Sequence, residues 1–234
     1  NERCFHLYLS VYSLVGLIEK CCRVTVIFYF YNLPKPYWLF MSVSFYFYIF
    51  TDMSEKYKFG EKSSAYFISF ATVNWIDVFI RDLYFSILTE SFDYFRKNKG
   101  MEIYGYCIMP SHVHLIFRSA LGDPSGLIRD LKGFTSRKIM KTIQENPQES
   151  RREWLLWMFE RAGKKNSNVK EKQFWQQNNQ PIEIWSLKVF EQKLSYIHNN
   201  PVEVGFVTDP TDWKYSSARN YSNNDHTILE IDLN

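Results

Sequence analysis

The spacing of hydrophobic residues divides most of the chain into short strands and amphipathic helices. Residues 65–74 (AYFISFATVN) are rich in β-branched and aromatic residues, which is typical of a strand. Apolar residues then recur at helical spacing over 78–98, which predicts a helix. Two further apolar runs, 102–109 and 112–118, predict a pair of strands with a tight break between them.

The second half of the chain is mainly helical in its pattern. Three helices are expected at 125–143, 149–162 and 188–200. Ser125 is the expected N-cap of the first helix. Pro201 disfavours helical geometry at the residue before it, so the last helix should end by Asn200. Residues 173–186 are expected to form short extended pieces, and the whole order of elements predicts an α+β fold with an antiparallel sheet covered by helices.

Residues 1–52 differ from the rest of the chain. The stretch 24–50 is strongly apolar and aromatic, but Asn32 and the segment Pro34-Lys35-Pro36 interrupt it. Neither remaining piece reaches the ~20 apolar residues that a membrane helix needs. A polar segment follows Met53 like an ordinary protein start. We therefore expect 1–52 to be an upstream segment that is not a domain, 53–234 to be a single domain, and no membrane partner; a membrane-associated appendage is the alternative.

The charge distribution and the cysteine content indicate which partners and which redox compartment suit the protein. The formal net charge is only +3, but residues 129–172 hold twelve Lys and Arg against six Asp and Glu. Such a stretch suits a polyanion, although on charge alone a solvated helical surface is the simpler explanation. The four cysteines form no CxxC pair, which indicates a reducing, cytoplasmic compartment without a structural disulfide or zinc site.

The segment YGYCIMPSHVHLIFRS, residues 104–119, contains two histidines one residue apart. Side chains at alternate positions of a strand point to the same face, so His112 and His114 can bind one divalent ion together. On its own, such a pair is more often two hydrogen-bonded polar groups at a strand edge. A second segment, LSYIHNNPVEVGFV, places Tyr196 and Asn200 four residues apart and hence on one helix face.

The phrase MPSHVHLIF, the YIHNNPV segment and the tail DWKYSSARNY (212–221) follow one another in a recognisable order. Together they resemble the REP-associated tyrosine transposases of the HUH single-tyrosine transposase superfamily, over roughly residues 60–222. The resemblance implies a ferredoxin-like domain with the HUH strand central in its sheet. It implies that His112, His114 and Asn200 bind Mg²⁺ or Mn²⁺, with Asn where the wider superfamily has Gln, and that Tyr196 is the nucleophile.

The implied activity is that of a DNA transposase or single-strand endonuclease. Such an enzyme cleaves and rejoins hairpin-bearing single-stranded DNA through a 5′-phosphotyrosine intermediate. Residues expected to contact DNA are Lys132, Arg137, Lys138, Lys141, Trp175 and Gln176. Trp175 either stacks on an unpaired base or packs in the core. The sequence leaves open whether the site is built within one chain or across a homodimer. The region between the first basic helix and FWQ is longer than in compact members of the family.

Three other functions compete with this interpretation. A domesticated, catalytically silent DNA-binding protein would keep the fold, but the intact His112, His114, Tyr196 and Asn200 argue against it. A histidine-triad nucleotide hydrolase would need a third alternating histidine, and position 116 is Ile. A structural membrane-associated protein built on residues 24–50 would leave the HxH and YIHNNP segments unexplained.

Overall fold

The computed structural model describes residues 59–232, except Lys170 and Asn178, and this part contains a four-stranded sheet. The strands are β1 (Ala65–Ala71), β2 (Met101–Ile108), β3 (His112–Ser119) and β4 (Ile182–Glu183). Their order is β2-β3-β1-β4, and all neighbours are antiparallel. This is the order of a ferredoxin-like βαββαβ unit. The predicted fold class is confirmed, and β3, which carries the histidines, is an interior strand.

The helices divide between the two faces of the sheet. They are α1 (Asp82–Lys99), α2 (Pro124–Glu145), α3 (Arg152–Lys164), α4 (Leu187–Glu203) and α5 (Ala218–Asn223). Val113, Leu115 and Phe117 of β3 point into the larger core, which α1, α2 and α3 complete. The alternate residues, His112 and His114 among them, face α4, which packs on β2 and β3. The sheet alternation therefore turns the histidines towards the helix that carries Tyr196.

The end of α4 differs from the prediction. The helix continues through Pro201 to Glu203 rather than ending by Asn200. The proline lies in the last turn, and two carbonyl groups of that turn accept from residues beyond the helix. The backbone N–H of Val204 donates to Asn200 O (3.2 Å), and that of Phe206 donates to Pro201 O (2.9 Å). Asn200 therefore stays helical although it precedes a proline, a position that usually favours extended geometry.

Two helix starts also differ from the prediction. Helix α2 begins at Pro124, and its cap is Asp123 rather than Ser125: Asp123 Oδ1 accepts from the N–H of Gly126 at 2.9 Å. Proline is favoured at the first helical position because an N–H there would have no acceptor within the helix, so its absence costs nothing. Helix α1 begins at Asp82 rather than near residue 78. A short 3₁₀ turn, Val73–Trp75, comes before this helix. The irregular segment between the turn and the helix contains Val78 and Phe79, and both side chains are buried.

The tail segment DWKYSSARNY, residues 212–221, lies against β2. Ile108 N–H donates to Tyr215 O (2.9 Å), and Ser217 N–H donates to Tyr106 O (2.9 Å). The Ser217 hydroxyl also lies 2.8 Å from Nε2 of His198 on α4. The tail therefore holds the tyrosine-bearing helix against the sheet.

The described residues belong to one compact unit. The predictions about residues 1–52 lie outside the described residues. Within the described part, no helix combines the length and the apolar character needed to cross a bilayer.

Candidate active site

The two histidines lie at the start of β3, opposite the end of β1. His112 pairs with Ala71 and His114 with Ser69 in the antiparallel register. Their ring centroids are 4.8 Å apart, so the imidazoles are direct neighbours on the α4 side of the sheet. His114 is only 3% exposed, whereas His112 is partly exposed. The pair thus has an inner, buried member and an outer member at the mouth of the site.

Helix α4 brings Tyr196 and Asn200 to the same place. The Tyr196 ring lies 5.2 Å from the His114 ring, centroid to centroid, in an edge-to-face arrangement. Asn200, one helical turn further on, is buried, while 39% of Tyr196 is exposed. The structure therefore gathers His112, His114, Asn200 and Tyr196 within a single chain. The tyrosine faces solvent, where a polynucleotide can reach it.

The polar atoms of this cluster fit a divalent metal ion. Nε2 of His114 and Oδ1 of Asn200 are buried and have no hydrogen-bond partner within the described residues. Such atoms are rare in folded proteins, since each leaves a desolvation cost uncompensated. Burial also lowers the pKa of His112, and it lowers the pKa of His114 to about 3, with the neighbouring His112 adding to the effect. Both rings are therefore neutral near pH 7, the form in which imidazole binds metals.

A three-ligand metal site at the histidine pair requires the Asn200 carboxamide as its third ligand. Among the described residues, no group of three His, Cys, Asp or Glu side chains lies close enough together to hold a metal ion. The Asn200 carboxamide nevertheless favours the protonated form of both imidazoles, which places it close to each ring. Two imidazole nitrogens and one amide oxygen suit Mn²⁺ and, less readily, Mg²⁺.

Ser69 is a residue of the site that the sequence did not single out. Its Oγ lies 2.5 Å from Nδ1 of His114. When Nδ1–H donates to this oxygen, Nε2 keeps its lone pair for a metal. We expect Ser69→Ala to weaken Mn²⁺ binding by ~10- to 100-fold, the usual cost of losing such a supporting group. Titration calorimetry measures this. Ser64→Ala, which removes a hydroxyl bonded to Glu183 instead, is the control. Equal affinities in all three proteins would contradict the assignment.

The buried histidines predict an acid-sensitive fold. Burial lowers the pKa of His114 to about 3 and that of His198 to about 4. An unfolded chain, with histidine pKa values near 6.5, binds protons that the folded chain cannot bind. Stability is therefore complete above about pH 6.5 and falls as the pH decreases.

We expect the free energy of unfolding to fall by up to about 4 kcal/mol between pH 7.5 and 5 in metal-free buffer. Urea titrations at several pH values measure it. His198→Gln should reduce the slope, since one of the two groups is gone. A free energy of unfolding that does not change over this range would contradict the prediction.

The predicted DNA contacts Lys132, Trp175 and Gln176 lie together beside the end of β1. The Lys132 ammonium donates to Gln176 O (2.8 Å) and Asn179 Oδ1 (2.7 Å), and burial lowers its pKa to about 8. Trp175 is 5% exposed, and its Nε1–H donates to Thr135 Oγ1 at 3.1 Å. Its ring packs against Phe70, Phe79 and Phe174. Of the two alternatives for Trp175, core packing is the one observed. Gln176 is partly exposed and remains a predicted DNA contact.

The other predicted DNA contacts lie on α2, which covers the opposite face of the sheet from the histidines. Arg137 is exposed, Lys138 pairs with Glu90 (3.0 Å), and Lys141 lies 3.8 Å from Glu145. The structure does not bring these three side chains to the histidine cluster. Their contact with phosphate stays a prediction about a more distant part of the DNA.

Three comparisons with known proteins agree with the fold and with the family resemblance. Residues 65–161 match the family described as IS200-like transposases. A Haemophilus influenzae protein described as a REP-associated tyrosine transposase is 28% identical over 149 residues, covering 60% of this chain and 76% of the relative. A solved structure of a REP-associated tyrosine transposase bound to a REP hairpin has a TM-score of 0.53 at 18% identity. It covers 78% of this chain and 100% of the solved one.

The family match covers β1 to most of α3, and therefore includes the histidine pair. The Haemophilus relative extends the likeness beyond that segment, and the solved structure shares the fold. Over residues 65–161 the chain matches the IS200-like transposase family, and it is similar to a REP-associated tyrosine transposase.

Proposed function

We propose that this protein cleaves and rejoins hairpin-bearing single-stranded DNA, with Tyr196 as the nucleophile. One observation carries the proposal: a half-exposed tyrosine lies against His114, one helical turn before a buried Asn200. The polar atoms of His114 and Asn200 are left without protein partners. A core tyrosine would need neither feature. A site for phosphoryl transfer needs both an accessible nucleophile and a place for a cation.

The reaction is a transfer of one phosphodiester. Tyr196 Oη attacks the scissile phosphorus and gives up its proton, while the bond from phosphorus to the 3′ oxygen breaks. That oxygen takes up a proton and becomes a 3′-OH, and the DNA segment downstream of the break becomes attached to the tyrosine through its 5′ phosphate. Attack by a 3′-OH on this phosphotyrosine reverses the step and joins strands. Because the bond is exchanged rather than hydrolysed, rejoining needs no external energy source.

The proposed metal site consists of His112, His114 and Asn200. A bound Mg²⁺ or Mn²⁺ would polarise the phosphate and offset the charge that develops on it. The chain's own contribution is to keep both imidazoles neutral by burial and to hold His114 in one orientation through Ser69. Helix α4 fixes Tyr196 beside them. A phenol has a reference pKa near 10, so it needs such an environment to react near neutral pH.

The proposed substrate follows from the relatives and from the charge distribution. The solved transposase of the same fold is bound to a REP hairpin. In this chain, the net positive segment 129–172 supplies Arg137, Lys138 and Lys141 on α2, which suit the phosphates of a hairpin stem. Since one chain brings together all four site residues, a homodimer is not required to complete the site. The rate per protein molecule should then be independent of protein concentration.

A covalent-adduct assay tests the proposal. The full chain is mixed with a pool of labelled hairpin-bearing single strands, with Mg²⁺, Mn²⁺ or EDTA, and run on denaturing gels. We expect a protein–DNA adduct that needs the metal. Binding without any adduct across a broad pool would favour a catalytically silent DNA-binding protein. Absence of binding would contradict the assignment of DNA as the substrate.

A further inference from the structure

A tryptophan stands at the mouth of the proposed site without a role in the mechanism. Trp75 is 55% exposed, and its ring lies 5.4 Å from the His112 ring in an edge-to-face contact. It follows β1, whose last residue, Ala71, pairs with His112. Large aromatic side chains normally gain stability by burial. One that is held open beside a proposed reaction centre is therefore a candidate for contact with a ligand.

The backbone holds this exposed position against its own preference. Asn74 and Trp75 both have φ of 54°, in the left-handed region, and they are two of only three non-glycine residues with positive φ in the described part of the chain. Asparagine tolerates this region, but a bulky residue such as Trp75 is rarely found there. Such conformations persist only where the surroundings enforce them, and they concentrate at functional sites.

The surroundings of this turn do enforce it. The hydroxyl of the fully buried Thr72 lies 2.7 Å from Ile76 O and 3.1 Å from Ser111 O, which joins the turn to the start of β3. Val73 N–H donates to Phe174 O at 2.8 Å, and Val73 and Ile76 are buried on either side. The turn is therefore anchored at both ends, and only the Asn74 and Trp75 side chains face outwards. A preorganised ring loses little freedom when a ligand binds to it.

The chemistry of the ligand follows from the ring and its neighbours. A flat, exposed indole suits the face of a nucleobase, which every nucleotide offers irrespective of sequence. A phosphate bound at the histidine cluster would have a nucleobase within one nucleotide's length of the Trp75 ring, because that ring contacts His112.

We infer that Trp75 is a stacking platform for an unpaired base next to the scissile phosphate. The inference rests on the proposed function, since it takes that phosphate to lie at His112, His114 and Asn200. Trp75 thereby positions the DNA strand and takes no part in proton or phosphoryl transfer. It selects for unpaired DNA, because a base inside a duplex has no free face.

The test combines protein and DNA changes. Binding is measured by fluorescence anisotropy in a Tyr196→Phe background, so that no cleavage is needed. Oligonucleotides carry one abasic position at a time in the strand flanking the hairpin. With Trp75 present, we expect one abasic position to weaken binding ~5- to 150-fold, the range of a single stacking contact. With Trp75→Ala, the intact DNA should bind equally weakly, and that abasic position should cause no further loss. Trp75→Phe should restore most of the affinity.

Trp185→Ala is the matched control. Trp185 is 71% exposed but lies just beyond β4, near the end of β1 opposite to Ala71. It should leave the abasic profile unchanged. Thermal melting checks that each variant folds.

Two results would overturn the inference. The first is unchanged binding in Trp75→Ala. The second is a Trp75→Ala variant whose DNA affinity decreases by the same factor for every abasic oligonucleotide and whose Mn²⁺ binding is also weaker. The ring would then only support His112. If wild-type protein binds the hairpin strands but forms no adduct, the proposed cleavage fails while the abasic profile still decides the role of Trp75. If no strand is bound, both fail.

Discussion

The Tyr196→Phe variant is expected to bind hairpin-bearing single-stranded DNA and Mn²⁺ as the wild type does, and to form no covalent adduct. Phenylalanine keeps the ring that contacts His114 and Phe67 but has no oxygen to attack phosphorus. Loss of a nucleophile removes the whole covalent route, so the adduct should decrease by at least ~10³-fold. Denaturing gels quantify the adduct, and anisotropy and calorimetry follow DNA and Mn²⁺ binding.

Tyr221→Phe is a closely matched control. Tyr221 is 38% exposed, against 39% for Tyr196, and it also contacts a histidine ring, that of His198, at 5.5 Å. Its hydroxyl donates to Tyr104 O, so its loss should cost stability of ~1 kcal/mol and leave adduct formation intact. An adduct that persists in Tyr196→Phe would assign the chemistry to another of the tyrosines. Its loss in both variants would indicate a general structural effect.

The residues of the site that can be predicted from the sequence are those whose partners are close along the chain. His112 and His114 share a face because a strand alternates, and Tyr196 and Asn200 share a face because a helix repeats about every four residues. The family resemblance supplied the pairing of those two elements, which spacing alone does not give. The same local rules placed β1, β2 and β3 within a few residues of their observed positions.

What the sequence did not show depends on contacts between distant segments. Ser69 becomes a partner of His114 only through the register of β1 against β3. Trp175 was ambiguous because its hydrogen bond to Thr135 and its packing against Phe79 join separate segments. The left-handed turn has at most a weak local signal, since Asn74 tolerates that geometry but Trp75 does not favour it. It is imposed by Thr72 bridging to Ser111.

Replacing Asn200 by leucine is expected to abolish metal binding without destabilising the metal-free protein. Leucine has nearly the shape of asparagine but no oxygen ligand. The Mn²⁺ affinity should decrease by at least ~100-fold, and metal-dependent cleavage by ~10³-fold, since a catalytic cation contributes several kcal/mol. The free energy of unfolding without metal should equal or exceed that of the wild type, because the change removes a buried oxygen that has no hydrogen-bond partner in the described structure.

Two neighbouring substitutions separate this explanation from a packing effect. Asn199→Leu changes the adjacent residue, whose Nδ2–H donates to Ser195 O, and should leave Mn²⁺ affinity unchanged. Asn200→Asp keeps an oxygen ligand and adds a charge, so it should bind Mn²⁺ at least as tightly as the wild type. If Asn200→Leu instead lowers stability by several kcal/mol and binds Mn²⁺ normally, the amide is a structural group and the metal site must lie elsewhere. A protein that is stabilised but unable to bind metal would show that this buried oxygen serves as a metal ligand and not as a support of the fold.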